Sequence, residues 1–178
     1  LPANDAMILV LAIVLMLSVL ILPALCFAQD QYNDRAYLSS VLGIMEITKP
    51  ETSRTLQTTE DANLKELAKQ ATALEADQVA ELEKLAADAG GKDAEAVNAM
   101  KPEQGAFSMN MDMDRTYAKD MLAHYNKIIE LSEQAQASSE NEEVKAFATK
   151  LIEAASPIRD NFKTWVDNWK PSFKGGCG

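Results

Sequence analysis

The chain has 178 residues and a formal net charge of −10 at pH 7. Its length allows one domain of modest size beside a separate apolar segment. The negative charge repels phosphate groups, which excludes nucleic acid as a partner and disfavours an anionic lipid surface. Two cysteines, Cys26 and Cys177, are too few for a disulfide framework, and the sequence leaves open whether they form a bridge or stay free.

An uncharged and almost entirely apolar stretch occupies residues 6–28. A run of about 20 apolar residues crosses a hydrocarbon layer of roughly 30 Å, so this stretch is long enough to span a membrane. Residues 1–28 are therefore either a retained anchor, in contact with membrane lipid, or a signal peptide cleaved after Ala28. Both interpretations predict that the acidic domain is exported, and a retained anchor would hold it at the membrane.

An internal repeat follows, because residues 34–86 reappear at 114–166 with a constant offset of 80 residues and no gaps. Both copies begin with Asp-Arg-x-Tyr, and apolar residues recur at matching positions. The paired apolar positions are Leu64 and Val144, Leu67 and Phe147, Leu82 and Phe162, and Leu85 and Trp165. Each copy is predicted to form one helical hairpin, and two hairpins make a four-helix bundle. We therefore predict an all-α bundle over residues 29–170 and a flexible tail over residues 171–178.

The first hairpin is delimited by a proline and a glycine pair. Its first helix starts near Asp34, and Pro50 is expected to end or kink it, because proline lacks an N–H group. The following residues 51–59 are rich in Thr and Ser and are expected to be partly irregular. The second helix is predicted from Asp61 to Asp88, and Gly90-Gly91 ends it.

The second hairpin follows a long connection over residues 92–111. Its first helix is predicted to start near Asp112 or Asp114, either of which can cap free N–H groups. A turn at residues 138–141 leads to the last helix, in which Pro157 predicts a kink. The inward stripe of the third helix is predicted to comprise Tyr117, Met121, His124, Ile128 and Leu131. That of the fourth is predicted to comprise Val144, Phe147, Leu151, Ala154, Ile158, Phe162, Trp165 and Trp169.

The only histidine, His124, follows Met121 by one helical turn. A buried imidazole needs a partner for at least one ring nitrogen, which a hydrogen bond or a metal ion can supply. Met109, Met111 and Met113 precede the helix, and thioethers together with imidazole suit Cu(I). Methionine also fills irregular gaps where a loop packs on a bundle. Two alternatives stay open: a hydrogen-bonded core histidine among packing methionines, or a copper site formed by these five residues.

The residues disfavour other kinds of site. A di-iron centre of the ferritin type needs Glu-x-x-His pairs on two helices, but Met121 stands three residues before His124. Glu46 and Glu75 are the carboxylates nearest to an inward position, and neither has a counterpart in the other copy. A single histidine within an apolar stripe also argues against a Ser-His-Asp triad, which needs a serine and an acidic residue beside the histidine. We therefore expect a protein that is not an enzyme, with no catalytic residues and no organic cofactor.

The second copy resembles two related families of exported bacterial domains of unknown function, both with ferritin-like four-helix bundles. The first family shows Asp-Arg, Met-x-x-His-His, Glu-Val and a late Trp, and some of its members are associated with copper. The second shows Asp-Arg-x-Tyr, a single His and Lys-x-Phe-Ala. The matching residues here are Asp114-Arg115-Thr116-Tyr117, Met121, His124-Tyr125, Glu143-Val144-Lys145, Ala148 and Trp165. The resemblance implies a ferritin-like fold, export and, for some relatives, copper.

This chain departs from the first family at the metal-binding positions. Paired imidazoles are replaced by His124-Tyr125, and the first copy has Ile44-Met45 at the same place. Glu75 stands where the second family often has a histidine. A copper site in this chain must therefore depend on His124 and the methionines.

Two functions are compatible with these features. The first is a membrane-anchored extracytoplasmic bundle without catalysis, which serves as an accessory or interaction subunit for a protein partner or a homo-oligomer, with or without copper. The second is a filament subunit that resembles a type IV pilin, whose N-terminal apolar helix packs in the polymer core. Asp5 and Pro23 fit the pilin outline, whereas Pro2 and a helical head domain do not.

Overall fold

A computed structural model of the chain describes residues 32–100 and 112–170. Every regular element in these two ranges is a helix, and none of them is long and apolar enough to cross a membrane. The helices are α1 (Asp34–Thr58), α2 (Ala62–Asp88), α3 (Ala94–Ala99), α4 (Met113–Ser138) and α5 (Glu142–Asn168). The predicted anchor or signal at residues 1–28 and the predicted tail at residues 171–178 lie outside the described residues.

The four long helices pack as a bundle in which each helix contacts two others. Both α1 and α5 contact α2 and α4. Helices α1 and α4 are antiparallel, because Tyr37 near the start of α1 lies beside Ser132 of α4, and Thr52 farther along α1 lies beside Tyr117. A short connection makes α1 and α2 antiparallel as well. Helices α2 and α4 therefore point in the same direction, and the end of α2 and the start of α4 lie at opposite ends of the bundle.

The two copies of the repeat make equivalent hydrogen bonds across the bundle. Tyr37 bonds to Ser132 at 3.0 Å, and Tyr117 donates to Thr52 at 3.1 Å. The two tyrosines are 80 residues apart, and so are the two hydroxyl partners. Burial raises the pKa of both Tyr37 and Tyr117 to about 12. The tyrosines of the Asp-Arg-x-Tyr motifs are therefore neutral residues that hold α1 against α4.

The prolines do not end their helices. Helix α1 continues through Pro50 as far as Thr58, and α5 continues through Pro157. The prediction of an irregular segment after Pro50 is therefore wrong for residues 51–58, which are helical. Thr52 and Thr55 are buried in the bundle, and this tertiary packing maintains the helix although proline removes one backbone hydrogen bond.

The other helix ends follow their capping residues. Asp61 accepts a hydrogen bond from the Leu64 N–H at 2.8 Å at the start of α2, and Asp112 caps α4. Gly90 and Gly91 end α2 with φ angles of +100° and +85°, which glycine adopts readily. The short helix α3, which was not predicted, packs on α1.

Candidate functional site

A cavity of about 10 Å³ lies between α1, α2 and α4. This volume is close to that needed for one water molecule, and a single metal ion is of similar size. The lining includes Met121 and His124, two of the five residues predicted to bind copper. The other lining residues are Met45, Thr48, Leu74, Glu75, Tyr125 and Ile128.

His124 lies at the edge of the bundle and is only half-buried, whereas its neighbour Tyr125 is 2 % exposed. His124 was predicted to lie on the inward stripe; it lines the cavity from the edge of that stripe, and Tyr125 takes the fully buried position. Burial lowers the pKa of His124, and the nearby Asp120 carboxylate only partly opposes this effect. The imidazole is thus neutral at pH 7, the form that binds metals. No side chain or backbone group of the described ranges hydrogen-bonds to its ring.

Met121 brings a thioether to the same cavity from one turn earlier on α4. It is 1 % exposed, and the Thr52 hydroxyl donates a hydrogen bond to its sulfur at 3.9 Å. Because Tyr117 donates to Thr52 in turn at 3.1 Å, a chain of hydrogen bonds restrains the Met121 sulfur. A second buried thioether, that of Met45, lies on the α1 side of the cavity.

Glu75 is the carboxylate of the cavity. Its Oε1 accepts a hydrogen bond from the Thr48 hydroxyl at 2.8 Å. Burial raises the pKa of Glu75. The Thr48 hydrogen bond and the positive charge of Lys49 lower the pKa, but by less than burial raises it. A carboxylate that is costly to ionise in this environment gains stability when a cation lies beside it. Sequence reasoning noted Glu75 as close to an inward position but did not assign it, or Met45, to the metal site.

The internal repeat shows that the bundle can be built without these groups. The counterparts of Met121, His124 and Glu75 in the other copy are Val41, Ile44 and Ala155, all of which are apolar. Apolar side chains therefore suffice for packing at these three positions, and the thioether, imidazole and carboxylate groups are not needed to build the bundle.

The remaining predicted ligands do not join this cluster. Met113 is the first residue of α4 and is 45 % exposed. It precedes His124 by 11 residues, which corresponds to about 16 Å along a helix. Met109 and Met111 lie outside the described residues. Within residues 32–100 and 112–170, no three His, Cys, Asp or Glu side chains converge in a way that could hold a metal, so a metal in the cavity would need the thioethers.

We expect Glu75→Gln to stabilise the metal-free protein at pH 7 by about 0.5–2 kcal/mol, the usual range for a stabilising substitution. The pKa of Glu75 is raised above 4.5 in the folded state, so the folded state binds more protons than the unfolded state between the two pKa values. Wild-type stability therefore falls as the pH rises through this interval. Glutamine does not ionise, and its amide can still accept the Thr48 hydrogen bond.

Urea unfolding at acidic and neutral pH measures this effect, with the exposed Glu140→Gln as control. The stability difference between Glu75→Gln and wild type should grow with pH, while the control should follow wild type. A Glu75→Gln protein that is less stable than wild type at pH 7 would contradict the prediction.

Comparison with known proteins finds one similarity. A family model described as "Domain of unknown function (DUF305)" matches residues 114–176, which is less than half of the chain. No curated protein and no solved structure matches. The matched part contains Met121 and His124 of the cavity but neither Met45 nor Glu75. The second repeat copy is thus similar to an uncharacterised family, which by itself assigns no activity.

Proposed function

We propose that this protein is a membrane-anchored, extracytoplasmic accessory subunit without catalytic activity, and that its bundle holds one Cu(I) ion in the interior cavity. The observation that carries the copper proposal is the grouping of Met45, Met121, His124 and Glu75 around a cavity of ionic size. Thioether sulfur and neutral imidazole are suitable ligands for Cu(I), and the nearby carboxylate offsets its positive charge.

The order of the helices supports a ferritin-like bundle. Ferritin-like folds have two helical hairpins joined by one long crossover connection. Here α2 and α4 point in the same direction, so the end of the first hairpin and the start of the second lie at opposite ends of the bundle, as this connection requires. The anchored location rests on the apolar residues 6–28. The intact mass of the native protein tests the anchored location. A mass that corresponds to a chain starting at Gln29 would show that residues 1–28 are a cleaved signal peptide and not an anchor.

Titration of the full chain with Cu(I) against a chromophoric chelator tests the metal site. We expect one ion per chain and a loss of affinity of about tenfold or more for Met121→Leu and for His124→Ala, since each removes a ligand. Met113→Leu is the matched control, because it changes an exposed methionine on the same helix.

Two results would overturn the copper site in the cavity. One is the absence of Cu(I) binding by the wild-type chain. The other is a loss of affinity for Met113→Leu with no loss for Met121→Leu, which would assign copper to the methionines at residues 109–113.

The alternative function, a pilin-like filament subunit, rests on Asp5 and Pro23, which lie outside the described residues. Electron microscopy of the purified native protein separates the two proposals. Filaments would support the pilin-like subunit, whereas a monomer that requires detergent would support the anchored bundle.

A further inference from the structure

A groove of about 730 Å³ opens at the end of the bundle where α4 begins. It lies between the starts of α2 and α4 and the end of α5. Its volume falls within the range of about 300–1,000 Å³ that is typical of ligand sites. The interior cavity between α1, α2 and α4 shares no lining residue with it, so the groove is a separate candidate site.

Both tryptophans of the chain, Trp165 and Trp169, line this groove. The helical period predicts that they point inward, but both are only half-buried. The repeat counterpart of Trp165 is Leu85, which is 4 % exposed. The smaller leucine completes the packing at that end of the bundle, so the Trp165 indole ring extends beyond what the packing needs.

One of the indole rings already packs against a cationic side chain of the protein itself. The Arg115 guanidinium carbon lies 4.6 Å from the centre of the Trp169 ring. The negative face of an indole attracts guanidinium and ammonium groups, and this attraction is stronger for tryptophan than for the other aromatic residues. The aromatic part of the groove therefore suits a positively charged side chain.

Carboxylates outnumber basic groups along the groove by five to one, with Lys170 as the basic residue. Asp61 and Asp112 are helix caps, and Asp114 accepts a hydrogen bond from a threonine hydroxyl at 2.7 Å. These three carboxylates are therefore held in place. Glu60 also lines the groove, as does Glu66, which pairs with the exposed Lys69 on its own helix at 3.2 Å. The two helix N-termini contribute roughly half a positive charge each, and Lys170 and the Arg115 guanidinium against Trp169 contribute one each. The five carboxylates exceed these positive charges, so the groove remains negative.

We propose that this groove binds a short basic segment of a protein partner, with an Arg or Lys side chain against the indole rings and the carboxylates. Charge complementarity selects a cationic occupant. The volume exceeds that of one side chain, and the amide side chains of Asn63, Asn161 and Asn168 in the lining can pair with peptide N–H and C=O groups. This proposal rests on the proposed accessory function and specifies which kind of protein segment the partner would present. It does not depend on copper binding.

The test is a titration of the metal-free full chain with a hexa-arginine peptide. Intrinsic fluorescence reports on the groove directly, because it contains both tryptophans of the chain. We expect a saturable change in tryptophan emission and binding that weakens with added salt. The double variant Glu60→Gln/Glu66→Gln, which spares the helix caps, should weaken binding about fivefold.

The matched control is Glu133→Gln/Glu140→Gln, which changes the net charge equally at the opposite end of the bundle. Glu140 is the repeat counterpart of Glu60. Unchanged binding by this control supports the groove. Equal weakening by both double variants, or no saturable change in emission, would overturn the proposal. Argininamide that binds as tightly as the peptide would also overturn it, because the site would then recognise a small organic cation.

The peptide titration and the copper titration can fail separately. The first uses no metal, and its variants lie outside the cavity. The second uses no peptide, and its variants lie outside the groove. Loss of copper binding with intact peptide binding would remove only the metal site, and the reverse result would remove only the groove.

Discussion

Phe162→Ala is expected to lower the free energy of unfolding by about 3–5 kcal/mol, the range for truncating a buried aromatic residue. Phe162 is fully buried. Its ring centre lies 5.9 Å from that of Tyr117 in an edge-on arrangement, and 6.0 Å from that of Tyr125 in a stacked one. The substitution removes both aromatic contacts and leaves a void beside Tyr125, which also lines the interior cavity.

Urea unfolding followed by circular dichroism measures this loss. Phe162→Leu is the matched variant, because its repeat counterpart Leu82 is also fully buried. We expect the leucine variant to lose clearly less stability than the alanine variant, since leucine refills most of the volume. A loss below about 1 kcal/mol for Phe162→Ala would contradict the placement of this ring at the centre of the bundle.

Asp114→Ala is expected to cost about 1.5–3 kcal/mol, the range for a hydrogen bond to a charged group. The Asp114 carboxylate accepts a hydrogen bond from the buried Thr59 hydroxyl at 2.7 Å, which connects α4 to the α1–α2 turn. The repeat counterparts are Asp34 and Ser139. There the Ser139 hydroxyl bonds to the Asn141 carbonyl at 3.3 Å instead, and Asp34 Oδ1 is buried without a hydrogen-bond partner among the described residues.

Asp34→Ala should therefore change stability by less than about 0.5 kcal/mol. The favourable effect of an acidic residue in the first helical turn and the cost of its buried oxygen oppose each other. The same urea experiment compares the two alanine variants, and Thr59→Val should reproduce the loss seen for Asp114→Ala. Equal losses for the two aspartates would contradict the assigned role of the Thr59 hydrogen bond.

The Asp-Arg-x-Tyr motif acts in this structure as a set of tertiary contacts. Arg35 donates from Nε to the Gly91 carbonyl and from Nη2 to the Lys92 carbonyl, both at 3.0 Å. Arg115 makes its contact with the Trp169 ring. Each arginine thus holds the chain just beyond the second helix of its own hairpin, while each tyrosine contacts the other hairpin. The recurrence of the motif therefore has a structural cause.

Local signals predicted the helix ends well, because capping depends on neighbours along the chain. Asp61 and Asp112 each accept a hydrogen bond from the backbone N–H group three residues ahead, and Gly90 and Gly91 adopt positive φ angles. The same local reasoning was wrong at Pro50, because burial of Thr52 outweighs the lost hydrogen bond. The six-residue helix α3 was not predicted; Asp93 caps it locally, and it packs on α1.

By itself the sequence determined that the chain carries two equivalent helical hairpins, since the apolar period and the ungapped repeat both depend on spacing alone. It also identified Met121 and His124 as neighbours, because one helical turn separates them. Only the tertiary structure shows that Met45 and Glu75 line the same cavity, because the sequence does not indicate how their helices pack against each other. It also decided that Trp165 and Trp169 line a groove. At the boundary of a helix face, the size of the residues on the neighbouring helices decides whether a side chain is enclosed or exposed.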